Sequence, residues 1–228
     1  MGGSMLRRVS RLIRVSAAPV LLMALLSACA LGRSVVDIQP PTGMNPEGST
    51  PVKITEVHDL RHFETNPRDP SQPSLGDEND VKNPVITARA IGRKRGGFGN
   101  AMGDVALPEG NTVSALVRSA AQKALQDRGY RVVDPGSPDY ANAIPLGMDI
   151  NQFWAWFTPG FLEVTADFRS SVTMTSDKLL QKSPVPVEGS AKYSTVAVGE
   201  STWKDVIERG VADLSKNMEG QIKPASQR

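Results

Sequence analysis

The chain has 228 residues, 26 basic and 24 acidic side chains, two histidines and a single cysteine. One cysteine excludes a disulfide framework within the chain, and two histidines with no second thiol leave little from which to build a metal centre. No metal and no dissociable cofactor are therefore expected.

The chain opens with MGGSMLRRVSRLIRVSAAPVLLMALLSACA, which sets Arg7, Arg8, Arg11 and Arg14 ahead of an apolar run from Val15 to Leu26. A basic head and a short apolar run make a secretory signal, and the run falls short of the ~20 residues a spanning helix needs. Val9-Ser10-Arg11 after the paired arginines lacks the apolar pair of a folded-export signal, so export of the unfolded chain is expected. Leu26-Ser27-Ala28-Cys29 resembles the lipobox of bacterial lipoproteins. The resemblance implies that Leu26, Ser27 and Ala28 are recognised by the signal peptidase, that residues 1–28 are removed, and that Cys29 becomes an acylated N-terminus. As the only cysteine, Cys29 would otherwise enter an oxidising compartment as an unpaired thiol. Acyl chains such as palmitate contribute about 0.8 kcal/mol per buried methylene, and two or more of them anchor a protein stably. By resemblance to the lipoprotein sorting rule, Ala30, standing where an aspartate would favour inner-membrane retention, implies the periplasmic face of the outer membrane.

The four arginines leave with the signal and no acid does, so the mature chain carries 22 basic against 24 acidic side chains. That balance gives nucleic acid no footing as a partner. Residues 29–50, rich in proline, glycine and small polar residues, read as a flexible tether with room for one short strand at Val35-Val36-Asp37-Ile38. Residues 51–224 read as a single α+β periplasmic domain.

Val52 to Val57 predicts its first strand. His58 and His62, with Glu56, Asp59 and Glu64 nearby, have a spacing that would suit zinc on a helix, but the local pattern is a strand running into a loop. Residues 64–84 carry four prolines and several carboxylates and read as a mobile loop. Val85 to Ile91 reads as a second strand. Arg93-Lys94-Arg95, followed by Gly96-Gly97-Phe98-Gly99, reads as an exposed basic turn. It lacks the Gly-Lys-Ser/Thr of a nucleotide loop, so Arg93, Lys94 and Arg95 are candidates for binding an anionic lipid headgroup or an acidic partner.

Val113, Leu116, Val117, Ala120, Ala121, Ala124 and Leu125 recur at helical spacing, with Asn111 or Thr112 as cap and Gly129 as terminator. Leu146, Met148, Ile150, Trp154 and Trp156 then form one stripe of a strand. With Thr158-Pro159-Gly160 as a three-residue hairpin loop, Phe157 faces Phe161, Trp154 faces Val164 and Ile150 faces Phe168. That register puts Phe153, Phe157 and Phe161 on the other face. There they form an apolar patch, either a partner-binding surface or one covered by the tether or the 64–84 loop. Leu162 to Met174 alternates as the returning strand, and Gly189 to Val198 reads as another. Trp203, Val206, Ile207, Gly210, Val211 and Leu214 form a last helical stripe, capped by Ser201 or Thr202.

This order predicts an antiparallel sheet with two amphipathic helices packed on one face. No Gly-x-Ser-x-Gly elbow occurs and no histidine lies in the later half, so enzymatic machinery is not expected.

Asp59-Leu60-Arg61 after the first strand, Ala124 to Tyr130 closing the first helix, Ile150-Asn151-Gln152 in the hairpin and the helix Trp203 to Leu214 together resemble the YajG family of bacterial outer-membrane lipoproteins, over most of residues 51–222. The resemblance implies no catalysis. It implies an accessory or interaction subunit in cell-envelope assembly or maintenance, with an envelope protein or a second copy as partner. A binding protein for a lipid or cell-wall fragment, held between sheet and helices, is the alternative.

Overall fold

The computed structural model describes residues 32–43, 48–95, 101–160, 163–196 and 198–225. Its strands are β1 (Ser34–Val35), β2 (Thr50–Asp59), β3 (Ala90–Arg95), β4 (Ala101–Ala106), β5 (Tyr130–Val132), β6 (Ile144–Pro159), β7 (Val164–Thr175) and β8 (Val185–Thr195). The helices are α1 (Glu78–Val81), α2 (Pro84–Thr87), α3 (Val113–Asp127) and α4 (Glu200–Gln221).

The sheet is mixed, not antiparallel as expected. β3–β4, β6–β7 and β7–β8 pair antiparallel, whereas β1–β4, β2–β5, β2–β6 and β3–β6 pair parallel. Parallel neighbours require a crossover, and α3 supplies one between β2 and β5.

β6 is long enough to serve three partners. β7 runs along one edge; the other edge takes β2 over Ile144–Ile150 and then β3 at Ala155. The sheet therefore forks, with β2 and β5 in one wing and β3, β4 and β1 in the other. At the fork Ile150 pairs with Val172 and Gln152 with Ser171, so Asn151 is an extra, bulged residue.

The bulge overturns the expected stripe, because one inserted residue flips every later side chain to the opposite face. Phe153 and Ala155 join Leu146, Met148 and Ile150 in the core beneath α3 and α4. Trp154 and Trp156 face the other way, into a second cluster with Phe63, Leu75 and Ala90. The hairpin register also differs from expectation: Pro159 pairs with Val164 and Phe157 with Ala166, and Gly160 N–H donates to Glu163 O at 2.8 Å.

The second cluster is roofed by the stretch expected to be a mobile loop. Glu64 bridges to Ser74, Leu75 is fully buried, and Val81 and Ile86 pack on the tryptophans' cluster. The strand expected from Val85 instead begins at Ala90; Asn83 caps α2 by accepting from Val85 N–H, and Pro84 sits in the first turn, where its missing donor costs nothing.

On the helix side, Thr112 caps α3 by accepting from Ala115 N–H at 3.1 Å, and Gly129 ends it with φ of +84°. α4 starts before the expected cap: Gly199 is its N-cap, and the Thr202 hydroxyl accepts from Gly199 N–H at 3.2 Å. Ser215 Oγ donates to Ala120 O where the two helices meet.

Candidate functional site

The fork leaves a break in the ladder, since among the described residues no strand on that side pairs with Phe153. Arg61 fills it. Its side chain is fully buried; Nη1 donates to Phe153 O at 3.2 Å and to Ala90 O at 2.6 Å, and Nη2 donates to Thr87 O at 2.7 Å. Asp59 neutralises the guanidinium in a bidentate pair, Nε to Oδ1 at 2.8 Å and Nη2 to Oδ2 at 2.7 Å. The planar fork of arginine donors suits this combination of one carboxylate and several carbonyls. The guanidinium also stacks 5.0 Å from the centre of the Phe63 ring. In the sequence, Asp59-Leu60-Arg61 was visible as a motif, but backbone carbonyls leave no trace in sequence.

The expected anion-binding residues are used in the same way. Arg93-Lys94-Arg95 is not an exposed turn but the end of β3. Arg93 is 4% exposed, and its Nη1 donates to Thr65 O at 2.7 Å and Leu75 O at 3.0 Å. Arg95 reaches Pro67 O and Ser74 Oγ, and Lys94 donates to Ser34 Oγ. Two of the three side chains thus hold down the 64–84 segment. Asp104 lies 4.0 Å from Arg93 Nε and 3.6 Å from Arg33. Burial pushes the Asp104 carboxyl above its ordinary value, and burial lowers Arg93.

Of the expected aromatic patch, Phe153 and Phe157 turn towards the helices, Phe153 fully buried and Phe157 half-buried. Phe153 is fully buried, edge-on to Phe168 at 4.8 Å, and Phe157 lies 3.9 Å from the Trp203 ring. Phe161 lies outside the described residues, as do Leu26, Ser27, Ala28 and Cys29. The layer between sheet and helices is tightly filled: a side chain at Gly210 would overlap the Phe168 ring, and a Cβ at Gly189 would lie 2.6 Å from that of Leu214. His58 sits 2.9 Å from Asp149 and 3.3 Å from Glu56.

What remains is the point where the chain enters the domain. Much of the expected tether is built into the fold, because Val36 and Ile38 bury their apolar side chains in the main core. Val36 N–H donates to Ala106 O and Gln39 N–H to Glu208 of α4, both at 2.9 Å. Arg33 pairs with Asp80 at 2.8 Å. The first described strand is thus held by backbone, apolar and ionic contacts at once.

A further edge strand, β8, is covered by α4. Asp213 Oδ2 accepts from Ser190 N–H and Asn217 Nδ2 donates to Glu188 O, both at 2.9 Å. Two outward-facing backbone groups are thereby satisfied. No described helix is long and apolar enough to cross a membrane.

No known family matches the chain, and no curated protein matches it. Among solved structures, a crystal structure of an uncharacterized protein is similar over 84% of this chain and 97% of its own, at 10% identity and a TM-score of 0.39. A likeness that weak carries no argument.

Proposed function

We propose that this chain is a non-enzymatic lipoprotein of the periplasmic face of the outer membrane, anchored through acylated Cys29, which works by contact as an accessory or interaction subunit of the cell envelope. The carrying observation is Leu26-Ser27-Ala28-Cys29 after an arginine-rich head and a short apolar run, with Cys29 the only thiol. The disposition of the charged groups is consistent with this reading: Arg61, Arg89, Arg93 and Arg118 spend their donors on backbone carbonyls, which is work of support and not of turnover. The resemblance to YajG lipoproteins points the same way.

The test is fractionation. The full chain, produced in a Gram-negative host, is expected in the outer-membrane band of a density gradient, while Cys29→Ser is expected as uncleaved precursor or free periplasmic protein. Identical distributions of the two would refute the reading.

A further inference from the structure

We propose that residues 64–87 form a flap that opens as a unit while the sheet and the two long helices stay folded, uncovering Trp154 and Trp156. Opening does not depend on acylation of Cys29.

The flap adds no strand to the sheet. Among the described residues, its backbone–backbone hydrogen bonds all stay within residues 64–89, as in Glu64 N–H to Pro73 O and Leu75 N–H to Glu64 O, both at 3.0 Å. Side chains join it to the body instead. Arg93 and Arg95 of β3 reach its carbonyls and Ser74 Oγ, Arg61 reaches Thr87 O, Gln152 Nε2 donates to Ser71 O at 3.3 Å, and Arg33 pairs with Asp80. Ties of this kind can be released without breaking a rung of the sheet.

Closure also leaves polar groups short. Among the described residues, the buried side-chain atoms without a hydrogen-bond partner are Arg93 Nε, Arg95 Nε, Asp104 Oδ1 and Trp154 Nε1. All of them lie where the flap meets the sheet: the two arginines hold it, Asp104 lines a cavity with Leu75 and Ile86, and Trp154 shares a cluster with Leu75. The core between sheet and helices contributes none of them. A polar atom removed from water without a partner opposes burial, and opening returns these atoms to solvent.

The fit is looser there as well. A cavity of about 20 Å³ lies between Leu75 and Ile86 of the flap and Ala90, Asp104 and Ala106 of the sheet. On the helix side, by contrast, Gly189 and Gly210 leave no room for an added methyl group. The flap gives the tryptophans' cluster one fully buried side chain, Leu75, while Val81 and Ile86 are only partly buried. With little apolar surface to re-expose and unpaired polar groups to hydrate, the flap belongs to the part of the molecule that opens short of global unfolding.

Thiol labelling reads the opening directly. In a Cys29→Ser background an introduced cysteine is the only one. Ala90→Cys places it beneath the flap at a site 1% exposed, and Ala120→Cys places it on the buried side of α3 at a site 0% exposed. Without denaturant, a maleimide is expected to label Ala90→Cys about tenfold faster or more than Ala120→Cys, and only the second rate is expected to climb with low urea. Equal rates that climb together mean that the flap parts only when the domain unfolds, which overturns the proposal. Hydrogen exchange on the natural chain decides the matter should either variant fail to fold. The Glu64 and Leu75 amides are then expected to exchange about tenfold faster or more than those of β7, which is paired on both sides, and with little urea dependence. Equal protection overturns the proposal. So does fast exchange of those amides with position 90 unlabelled, since the segment then frays without uncovering the tryptophans.

Discussion

A single guanidinium closes the gap that the forked sheet leaves open. Because Arg61 is fully buried and satisfies Asp59 together with three carbonyls, removing it strands a carboxylate and leaves backbone acceptors unpaired. Arg61→Met is expected to cost about 3–5 kcal/mol in urea unfolding, and Arg61→Lys most of that, since an ammonium cannot make the bidentate pair. A loss below about 1 kcal/mol would show that the fork does not depend on it. Asp104 acts in the opposite sense. Burial raises its pKa above the unfolded value, so the unfolded chain gives up this proton first. Its contribution therefore disfavours folding increasingly as pH rises from the ordinary aspartate range through the raised value. Asp104→Asn is expected to match or exceed the natural protein's stability at neutral pH and to flatten that part of the profile. Urea midpoints between pH 4 and 8 check both points.

At the level of elements, stripes were legible and registers were not. The helical stripes of α3 and α4 are in the sequence because each helix buries one side only. β6 buries both faces over Phe153–Trp156, so apolar residues occur at every position there and alternation carries no information about sidedness. Nothing in Asn151 announces a bulge. The two readings of Phe153 differ measurably: Phe153→Ala in a surface patch would cost little, whereas in the core it is expected to cost about 3–5 kcal/mol of unfolding free energy. Edge protection is a separate element-scale matter. Asp213→Ala with Asn217→Ala frees the Ser190 N–H and Glu188 C=O of β8. The double variant is expected to lose about 1–3 kcal/mol and to self-associate with rising concentration, as read by light scattering. A monomer at all concentrations would assign these side chains no protective role.

For the whole molecule, the proposed address is read from residues 1–29, while the arrangement of the sheet stays hidden in the sequence. Mixed topology depends on which distant strands meet, as when β2 and β3 share one edge of β6, and local periodicity does not encode such pairings. Composition also misled twice. Prolines and carboxylates in residues 64–84 read as a mobile loop, yet the segment packs on the cluster of Trp154 and Trp156 through Leu75 and Val81. Residues 29–50 read as a tether with room for one short strand, yet Val36 and Ile38 within them are buried in the main core. The proposed function depends on the chemistry of Cys29, and mass spectrometry of the mature N-terminal peptide from native membranes reads it directly. The account predicts a peptide beginning at Cys29 and carrying diacylglycerol with an amide-linked acyl chain; a free thiol at Cys29, or a mature chain beginning elsewhere, would contradict it.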